Sequence, residues 1–464
     1  MTMMPVVLWT DAMIFLLLAT FLTGAWHIRK WPHLMLPWRR VATSSMGMVS
    51  LLILSLFITV GLLDSLHYRV ALPEKNNGQT VYSAEVVSAF DALASGLKSR
   101  TEKTYSAPMA VYLYAKESMA TPDGNILRDY PRLRFGGAHL QNIERDWPGD
   151  VVQKAVYGAL AGLLLGVLLI AAVWILFLRQ RGDPLPLSKV TDSPRKALLI
   201  TTLLLAAFFG AVANLAASYH VLGTDKVGQD VLYLALKSIR TGLVIGTITT
   251  LVTLPFALLL GVAAGYFRGW VDDIIQYIYT VLSSIPSVLL IAAAVLMMQV
   301  TIEMHPEWFE TSAARADVRL LSLCLILGLT SWTGLCRLLR GETLKLRELE
   351  YIQAAQSFGV SSTRIITQHI MPNVMHIVLI AMVMDFSGLV LAEAVLSYVG
   401  VGVDPSTMSF GTLINAARLE MGREPIVWWT LAAAFGFMLV LVLAANLFAD
   451  VVRDAFDPRL SHKN

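Results

Sequence analysis

Residues 350–373 read EYIQAAQSFGVSSTRIITQHIMPN, and this stretch, which we call the polar loop, lies between two long apolar runs. Leu349 and Ile352 begin an apolar stripe at helical spacing, which predicts a short amphipathic helix. Gly359 then permits a sharp turn, and Pro372 stands where the next helix begins and a missing N–H does little harm. The pattern therefore predicts a short rod of two helices joined at a glycine. Such a rod can dock in the groove of a partner protein or lie on lipid headgroups.

The composition of the whole chain is that of a membrane protein. Of its 464 residues, 56% are hydrophobic and only 15% are charged, whereas a soluble domain has about 25% charged residues. The apolar runs are about 20 residues long, which favours spanning helices over strands. The net charge of +3 gives no indication of nucleic-acid binding. The predicted fold class is an all-α polytopic membrane protein.

Nine apolar runs are long enough to span a bilayer, at about 6–26, 42–63, 154–178, 197–217, 241–265, 273–299, 319–337, 375–397 and 427–449. The first run has no basic flank and no convincing cleavage site, so we expect it to be retained as a helix. Lysine and arginine gather after the first, third and seventh runs and in the C-terminal tail. Because such residues favour the cytoplasmic side, the N-terminus is predicted outside and the C-terminus inside.

The predicted spans divide the chain into four parts. These are two N-terminal transmembrane helices (1–64), a periplasmic insertion (65–152), a third transmembrane helix with a cytoplasmic linker (153–194), and a six-helix unit (195–464) with a coupling loop at 338–374. Within the insertion, Ala84–Leu97 is predicted helical, Ala110–Tyr114 strand-like, and Pro122–Gly124 a turn. We therefore expect a small α+β unit, which either packs passively or offers a contact surface.

Several catalytic patterns do not occur in the sequence. There is no G-x-x-x-x-G-K-[ST] phosphate loop, so ATP binding of the Walker type is not expected. An intramembrane enzyme using His376, Asp385 and Glu393 is disfavoured, since these residues come without a nucleophile or metal set. A charge such as Asp385 is costly inside a membrane, so it should face protein or a water-filled path.

The polar loop resembles a motif of one transporter class. It contains, in order, Gln353-Ala354-Ala355, Gly359 and Ile370-Met371-Pro372. These elements are similar to the Glu-Ala-Ala triplet, the glycine and the hydrophobic-x-Pro of the cytoplasmic loop in binding-protein-dependent ABC permeases. Gln353 stands in place of the glutamate, and it keeps the length and hydrogen-bonding capacity of that residue.

Three further blocks resemble the second (C-type) subunit of dipeptide/oligopeptide permeases. They are HVLGTD with GQDV (220–231), EAVLSYVGVG (393–402) and NLFADVVRDAFDPR (446–459). The arginine usual in the first block is Gln229 here, which puts its ion pair in doubt. Asp225 and Asp230 in that block either cap the following helix or contact substrate. The resemblance covers about residues 195–460 and leaves out 1–190.

The resemblance implies a six-helix (MetI-like) ABC importer core with three extra N-terminal spans. It also implies a second permease subunit, two ATPases that bind ATP and Mg, a periplasmic substrate-binding protein, and a bacterial inner membrane; no cofactor or metal is implied in this chain. The implied ATPase-coupling residues are Glu350, Gln353, Ala354, Ala355, Gly359 and Pro372. The implied external gate or pathway residues are Asp225, Asp230, Asp385 and Glu393. The expected substrates are peptides or similar small solutes, and the alternative is a membrane sensor whose insertion binds a ligand.

Overall fold

The computed structural model describes residues 3–72, 82–120, 126–181, 193–309 and 311–456. In these ranges, nine helices are long and apolar enough to cross a membrane, which confirms the predicted number of spans and the all-α polytopic fold class. The predicted turn at Pro122–Gly124 and the end of the last motif, Asp457–Arg459, lie outside the described residues. We call the two ends of the helix bundle the insertion end, beside residues 65–142, and the loop end, beside the polar loop.

The N-terminal part is a strand followed by three helices. These are β1 (Met3–Val6), α1 (Trp9–Lys30), α2 (Pro32–Thr43) and α3 (Ser45–Asp64). Ser44 begins α3, since its side chain accepts a hydrogen bond of 3.2 Å from the amide of Gly47. The membrane-crossing helices are α1 and α3, and the shorter α2 joins them at the loop end.

The insertion contains short strands and short helices, as predicted. They are β2 (His67–Val70), β3 (Val87–Ser88), α4 (Ala89–Leu93), α5 (Ser95–Lys98), β4 (Glu117–Ala120) and β5 (Ile126–Asp129). The β1 strand pairs antiparallel with β2, with Met3 opposite Val70 and Val6 opposite His67, and β2 pairs with β3. A second sheet consists of the antiparallel pair β4 and β5.

Two details of the insertion differ from the sequence prediction. The helix expected over Ala84–Leu97 starts only at Ala89, because Ser88 caps it by accepting a 3.0 Å hydrogen bond from the amide of Asp91. The strand expected over Ala110–Tyr114 is an irregular segment with two isolated bridges. The chain turns immediately before it, where Met109 has a φ of 57°, and such a turn interrupts strand pairing.

The long helix α6 (Ile143–Arg181) follows the insertion and packs against α7 (Ser193–Ala216), the first helix of the six-helix unit. They pack closely at glycines. A methyl group at Gly158 would lie 2.5 Å from the carbonyl oxygen of Gly210, and Gly162 touches Ala206 and Gly210 in the same way. Small residues allow such backbone contact between membrane helices.

The remaining helices form the rest of the core. They are α8 (Val231–Phe267), α9 (Trp270–Ser284), α10 (Ser287–Met304), α11 (Ser312–Arg347), α12 (Glu350–Ser357), α13 (Ser362–Ile365), α14 (Met371–Tyr398), α15 (Phe410–Glu420) and α16 (Trp429–Phe456). A π-helical turn, Ile366–Ile370, joins α13 to α14. Residues 338–347, predicted as the start of the coupling loop, continue α11 instead. The long helices α8 and α11 pack along each other at the centre, where Gly261 meets the backbone of Cys336.

The predicted sixth span, 273–299, is wrong as a single helix. The α9 helix ends at Ser284, and Ile285 is extended, with φ −91° and ψ 132°. Pro286 follows, and proline both lacks an N–H and disfavours a helical residue before it. The crossing helix is therefore α10, while α9 carries Asp272 and Asp273 in its first turn and lies at the loop end.

Candidate functional site

The first half of the polar loop forms the predicted helix and glycine turn. Gly359 has a φ of +72°, which favours glycine. The amide of Val360 donates to the carbonyl of Ala355 (3.1 Å), and the amide of Gly359 donates to that of Gln356 (3.0 Å). This pair of bonds is a Schellman motif, which satisfies the last carbonyls of α12. The turn is therefore a defined elbow.

Isoleucine side chains anchor the polar loop to the core. Ile352, Ile365 and Ile370 are all fully buried, and they share one apolar cluster with Val262 of α8 and Leu339 of α11. Removing such side chains from water stabilises the contact by about 1.5–3 kcal/mol each. Both arms of the elbow are thus attached to the two central helices.

The opposite face of the polar loop is exposed. Phe358, beside the elbow, is 87% exposed and Tyr351 is 46% exposed. Among the predicted coupling residues, Ala355 is partly buried, and the others are exposed: Glu350, Gln353, Ala354, Gly359 and Pro372. Pro372 lies in the first turn of α14, as predicted. The structure brings all six to one surface at the loop end.

Ion pairs brace the loop end, and the sequence did not single them out. The guanidinium of Arg340 in α11 donates to both carboxylate oxygens of Asp272 in α9, each at 2.6 Å. These hydrogen bonds outweigh partial burial and hold the pKa of Asp272 below its usual value. Arg268 pairs with Glu348 just before α12. Opposite charges at the ends of helices that follow one another in the sequence were the signal from which these ion pairs could have been predicted.

At the insertion end, Asp225 and Asp230 hold one turn. Asp230 caps α8, as predicted, by accepting hydrogen bonds from the amides of Leu232 (2.9 Å) and Tyr233 (3.4 Å). Asp225 caps no helix; it accepts from the amides of Val227 (3.0 Å) and Gln229 (2.7 Å) within the turn. Burial raises the pKa of Asp225, although these amides oppose the shift. Both carboxylates are therefore occupied by structural hydrogen bonds.

A buried histidine links that turn to the insertion, and no local sequence pattern indicates this role. His220 Nδ1 lies 2.7 Å from Asp230, and its Nε2 lies 3.4 Å from Glu102 of the insertion. Burial alone would lower the pKa of His220, but the two carboxylates outweigh it and raise the pKa to about 9. Burial opposes ionisation of Glu102, yet His220 and three backbone amides lower its pKa to about 2. The pair is charged at neutral pH.

Glu393 of α14 is buried, and its hydrogen bonds link two segments of the chain. It is 1% exposed, and its Oε1 accepts hydrogen bonds from the hydroxyls of Ser397 (2.7 Å) and Ser409 (2.8 Å). A side chain at Gly411 would collide with the same oxygen. Glu393 therefore fastens α14 to the segment that leads into α15.

Asp385 lies on α14 eight positions before Glu393, or about 12 Å along the helix, so the two do not form one site. Its side chain is exposed on the surface of the chain, and no described residue hydrogen-bonds to it. An unpaired carboxylate within a membrane helix is expected to face protein or water.

Buried charges also join the extra N-terminal helices to the core. Arg240 of α8 donates to Asp11 of α1 at 2.6 Å, and Lys237 lies 3.2 Å from Asp64 at the end of α3. Arg240, Lys237 and Asp64 border a cavity of about 310 Å³ at the insertion end, together with Asp91 of the insertion. Charges inside or just beyond the predicted spans were a signal for this network, but the partners are far apart in the sequence.

Comparisons with known proteins agree with the resemblance. The family described as "Binding-protein-dependent transport system inner membrane component" matches residues 257–462. The oligopeptide transport system permease protein of Mycobacterium bovis is 32% identical over 250 residues, which cover 54% of this chain and 79% of the relative. The dipeptide permease protein of Lactococcus lactis is 29% identical, covering 52% and 64%. The glutathione permease protein of Pectobacterium atrosepticum is 32% identical, covering 53% and 74%.

Among solved structures, the MetNI methionine ABC transporter in inward-facing form matches with a TM-score of 0.36 and 17% identity, over 49% of this chain and 98% of that chain. The comparisons give the sensor hypothesis no support. Permeases of this family are non-catalytic membrane subunits, and such importers work with ATPase and binding-protein partners. The chain belongs to the family of binding-protein-dependent transport system inner membrane components, as a multi-pass permease subunit of an ABC importer.

Proposed function

We propose that this chain forms half of the translocation pathway of an ATP-driven importer, with a second permease as the other half. Two cytoplasmic ATPases bind ATP and Mg²⁺, and an external binding protein delivers the solute. This chain itself carries no cofactor or metal. The proposal is supported by membership of the permease family and by the geometry of the polar loop.

The observation that carries the proposal is the two-sided character of the polar loop. One side holds three fully buried isoleucines, Ile352, Ile365 and Ile370, packed against α8 and α11. The other side presents Phe358, Tyr351 and Gln353 to solvent. A partner ATPase that grips the exposed side moves the central helices with it, because the loop cannot shift without breaking its buried contacts.

The proposal also assigns an orientation in the membrane. The N-terminus and the insertion lie outside, and the polar loop and the C-terminus lie in the cytoplasm. The basic residues of α2 and those at the end of α11 support this assignment, since both lie at the loop end. The charged turn of Asp225 and Asp230 then lies at the outer end of the pathway with Glu393, and Asp385 lines the pathway or meets the second permease.

The proposed mechanism is alternating access. Closure of the ATPases on ATP moves the polar loop and rocks the six-helix units, so that the pathway opens outward, and hydrolysis resets it. The proposed solutes are small peptides or chemically similar molecules, because the relatives are named as oligopeptide, dipeptide and glutathione permeases. Selectivity rests mainly with the binding protein.

The test uses two glycines with positive φ at opposite ends of the helix bundle. Gly359 and Gly400 have φ of +72° and +87°, and both have open space around them. Gly359→Val should distort the elbow, because a β-branched residue rarely adopts such a φ. We expect co-purification of the ATPases with the tagged chain to fall at least about tenfold, a loss of about 1.4 kcal/mol. Gly400→Val should retain them.

The measurement is quantitative mass spectrometry of complexes purified gently from the native membrane. The second permease should stay bound in both variants, which separates loss of coupling from loss of folding. Wild-type levels of ATPase with Gly359→Val would overturn the assignment of the polar loop.

A further inference from the structure

A second cavity lies where the insertion meets α6 and α7. It has a volume of about 450 Å³ and is bordered by the start of α6, the end of α7 and the residues between β5 and α6. Its charged and ionisable lining residues are Arg100, Arg134, His139 and Lys154. No carboxylate is among its described lining residues, in contrast to the cavity beside Arg240.

Two of these cations are already oriented by the protein. Nη1 of Arg100 donates to the carbonyls of Ala216 (3.0 Å) and Ala217 (2.6 Å) at the end of α7. Nζ of Lys154 donates to the hydroxyl of Ser218 (2.7 Å). These bonds hold positive charge at the mouth of the cavity without neutralising it, because carbonyl and hydroxyl groups carry no net charge.

Two carboxylates lie beside the cavity. Glu102 accepts hydrogen bonds from the amides of Arg134 (2.9 Å) and Phe135 (2.7 Å), and its charge is compensated by His220. The other carboxylate, Asp150, compensates only part of the positive charge of the lining. Asp150 lies 3.3 Å from Lys154 and 2.8 Å from His139, and it accepts a hydrogen bond of 2.6 Å from the hydroxyl of Tyr219. Asp150 alone therefore remains to compensate the three permanent cations that line the cavity, Arg100, Arg134 and Lys154. The surplus of positive charge favours an anion.

Arg134 is the group that lacks a partner. Its guanidinium has no hydrogen-bond acceptor among the described residues, and it lies over the ring of Phe135, whose centroid is 5.2 Å away. A guanidinium presents five donors in a planar fork that matches the oxygens of a phosphate group. The cavity thus holds an unused phosphate-binding side chain.

The position of the cavity selects a lipid as the source of that phosphate. Lys154 precedes the apolar run of α6, and the next residues along this helix, Val156, Tyr157 and Leu160, are 50–59% exposed. A surface that is apolar, long and exposed on a membrane helix faces acyl chains. The cavity therefore lies at the boundary between acyl chains and water, where headgroups are found.

We propose that this cavity binds the phosphodiester headgroup of an anionic lipid at the insertion end of the bundle. Arg134 and Lys154 contact the phosphate oxygens, and the exposed apolar face of α6 accommodates the acyl chains. Basic pockets between membrane helices bind anionic headgroups by the same chemistry. The lipid joins the insertion, which carries Arg134, to the helix pair of α6 and α7. The inference does not depend on the transport direction or on the solute.

The test is native mass spectrometry of the full chain in its complex, released from nanodiscs of phosphatidylcholine with added phosphatidylglycerol. We expect wild-type complexes to retain phosphatidylglycerol, and Arg134→Gln with Lys154→Gln to retain about tenfold less, because each lost charged hydrogen bond weakens binding substantially. The matched control replaces Lys116 and Arg128 with glutamine. Both are exposed cations of the β4–β5 region outside the cavity, and this variant should retain lipid like the wild type.

Two further arms keep the outcome clear. Arg134→Lys preserves the positive charge and should restore much of the retention, which a folding defect would not allow. Equal retention in the cavity variant and the surface variant would overturn the proposal. Complete displacement of the lipid by millimolar inorganic phosphate would also overturn it, since the site would then recognise a free anion.

Discussion

The two ends of this permease are held together by different physical forces. At the loop end, buried isoleucines anchor the polar loop, and the ion pair next to it, Arg268 with Glu348, is exposed. At the insertion end, buried charges such as Arg240 with Asp11 and His220 with Asp230 join distant parts of the chain. Close apolar packing makes the polar loop and the central helices move together, whereas a buried ion pair is costly to separate and so holds its partners in place. The loop end is thus suited to transmit motion and the insertion end to define a fixed arrangement.

The largest expected effect is on the buried charges. Arg240→Met removes the permanent cation beside Asp11, which is fully buried and keeps His67 as its other partner. Leaving a buried charge without its partner costs about 3–5 kcal/mol. We expect the free energy of unfolding, measured by denaturant titration in micelles, to fall by this amount. The double variant Arg240→Met with Asp11→Asn should recover part of the loss. Equal stability of Arg240→Met and wild type would remove the distinction between the two ends.

A smaller effect is expected at the apolar anchor. Ile352→Ala leaves a cavity between α12 and the central helices and should cost about 2–5 kcal/mol locally. Hydrogen exchange of the amides of α12 should accelerate accordingly. The matched control is Phe358→Ala, which removes an exposed side chain of the same loop and should change stability by less than about 0.5 kcal/mol. If both variants behave alike, burial of Ile352 does not anchor the loop.

The smallest effect is expected from pH. The folded-state pKa of His220 is raised to about 9, above its unfolded value of about 6.5. A raised pKa means that the histidine's contribution is fully present below about pH 6.5 and is lost as the pH rises through 9. Proteolysis of the insertion should therefore increase between pH 7 and 10. His220→Gln should abolish this dependence, and a wild-type profile in that variant would assign it to another group.

The sequence predicts the polar loop well and the insertion end poorly, for a physical reason. The polar loop is defined by neighbours in the chain: Gly359 turns it and Pro372 begins the next helix. The insertion end depends on partners such as Asp11 and Arg240, which are 229 positions apart, and local periodicity carries no information on such pairs. The sixth span was misjudged because hydropathy averaged over a window does not register the break at Pro286.

The sheet formed by β1 and β2 has a consequence for how this membrane protein is assembled. Met3–Val6 can pair with His67–Val70 only when α1 and α3 have both crossed the bilayer, since those helices separate the two strands. Pairing therefore follows insertion of the helical hairpin, and it brings Asp11 to His67 at 2.7 Å. A chain in which this strand pair has formed has therefore already inserted α1 and α3, its first two spanning helices.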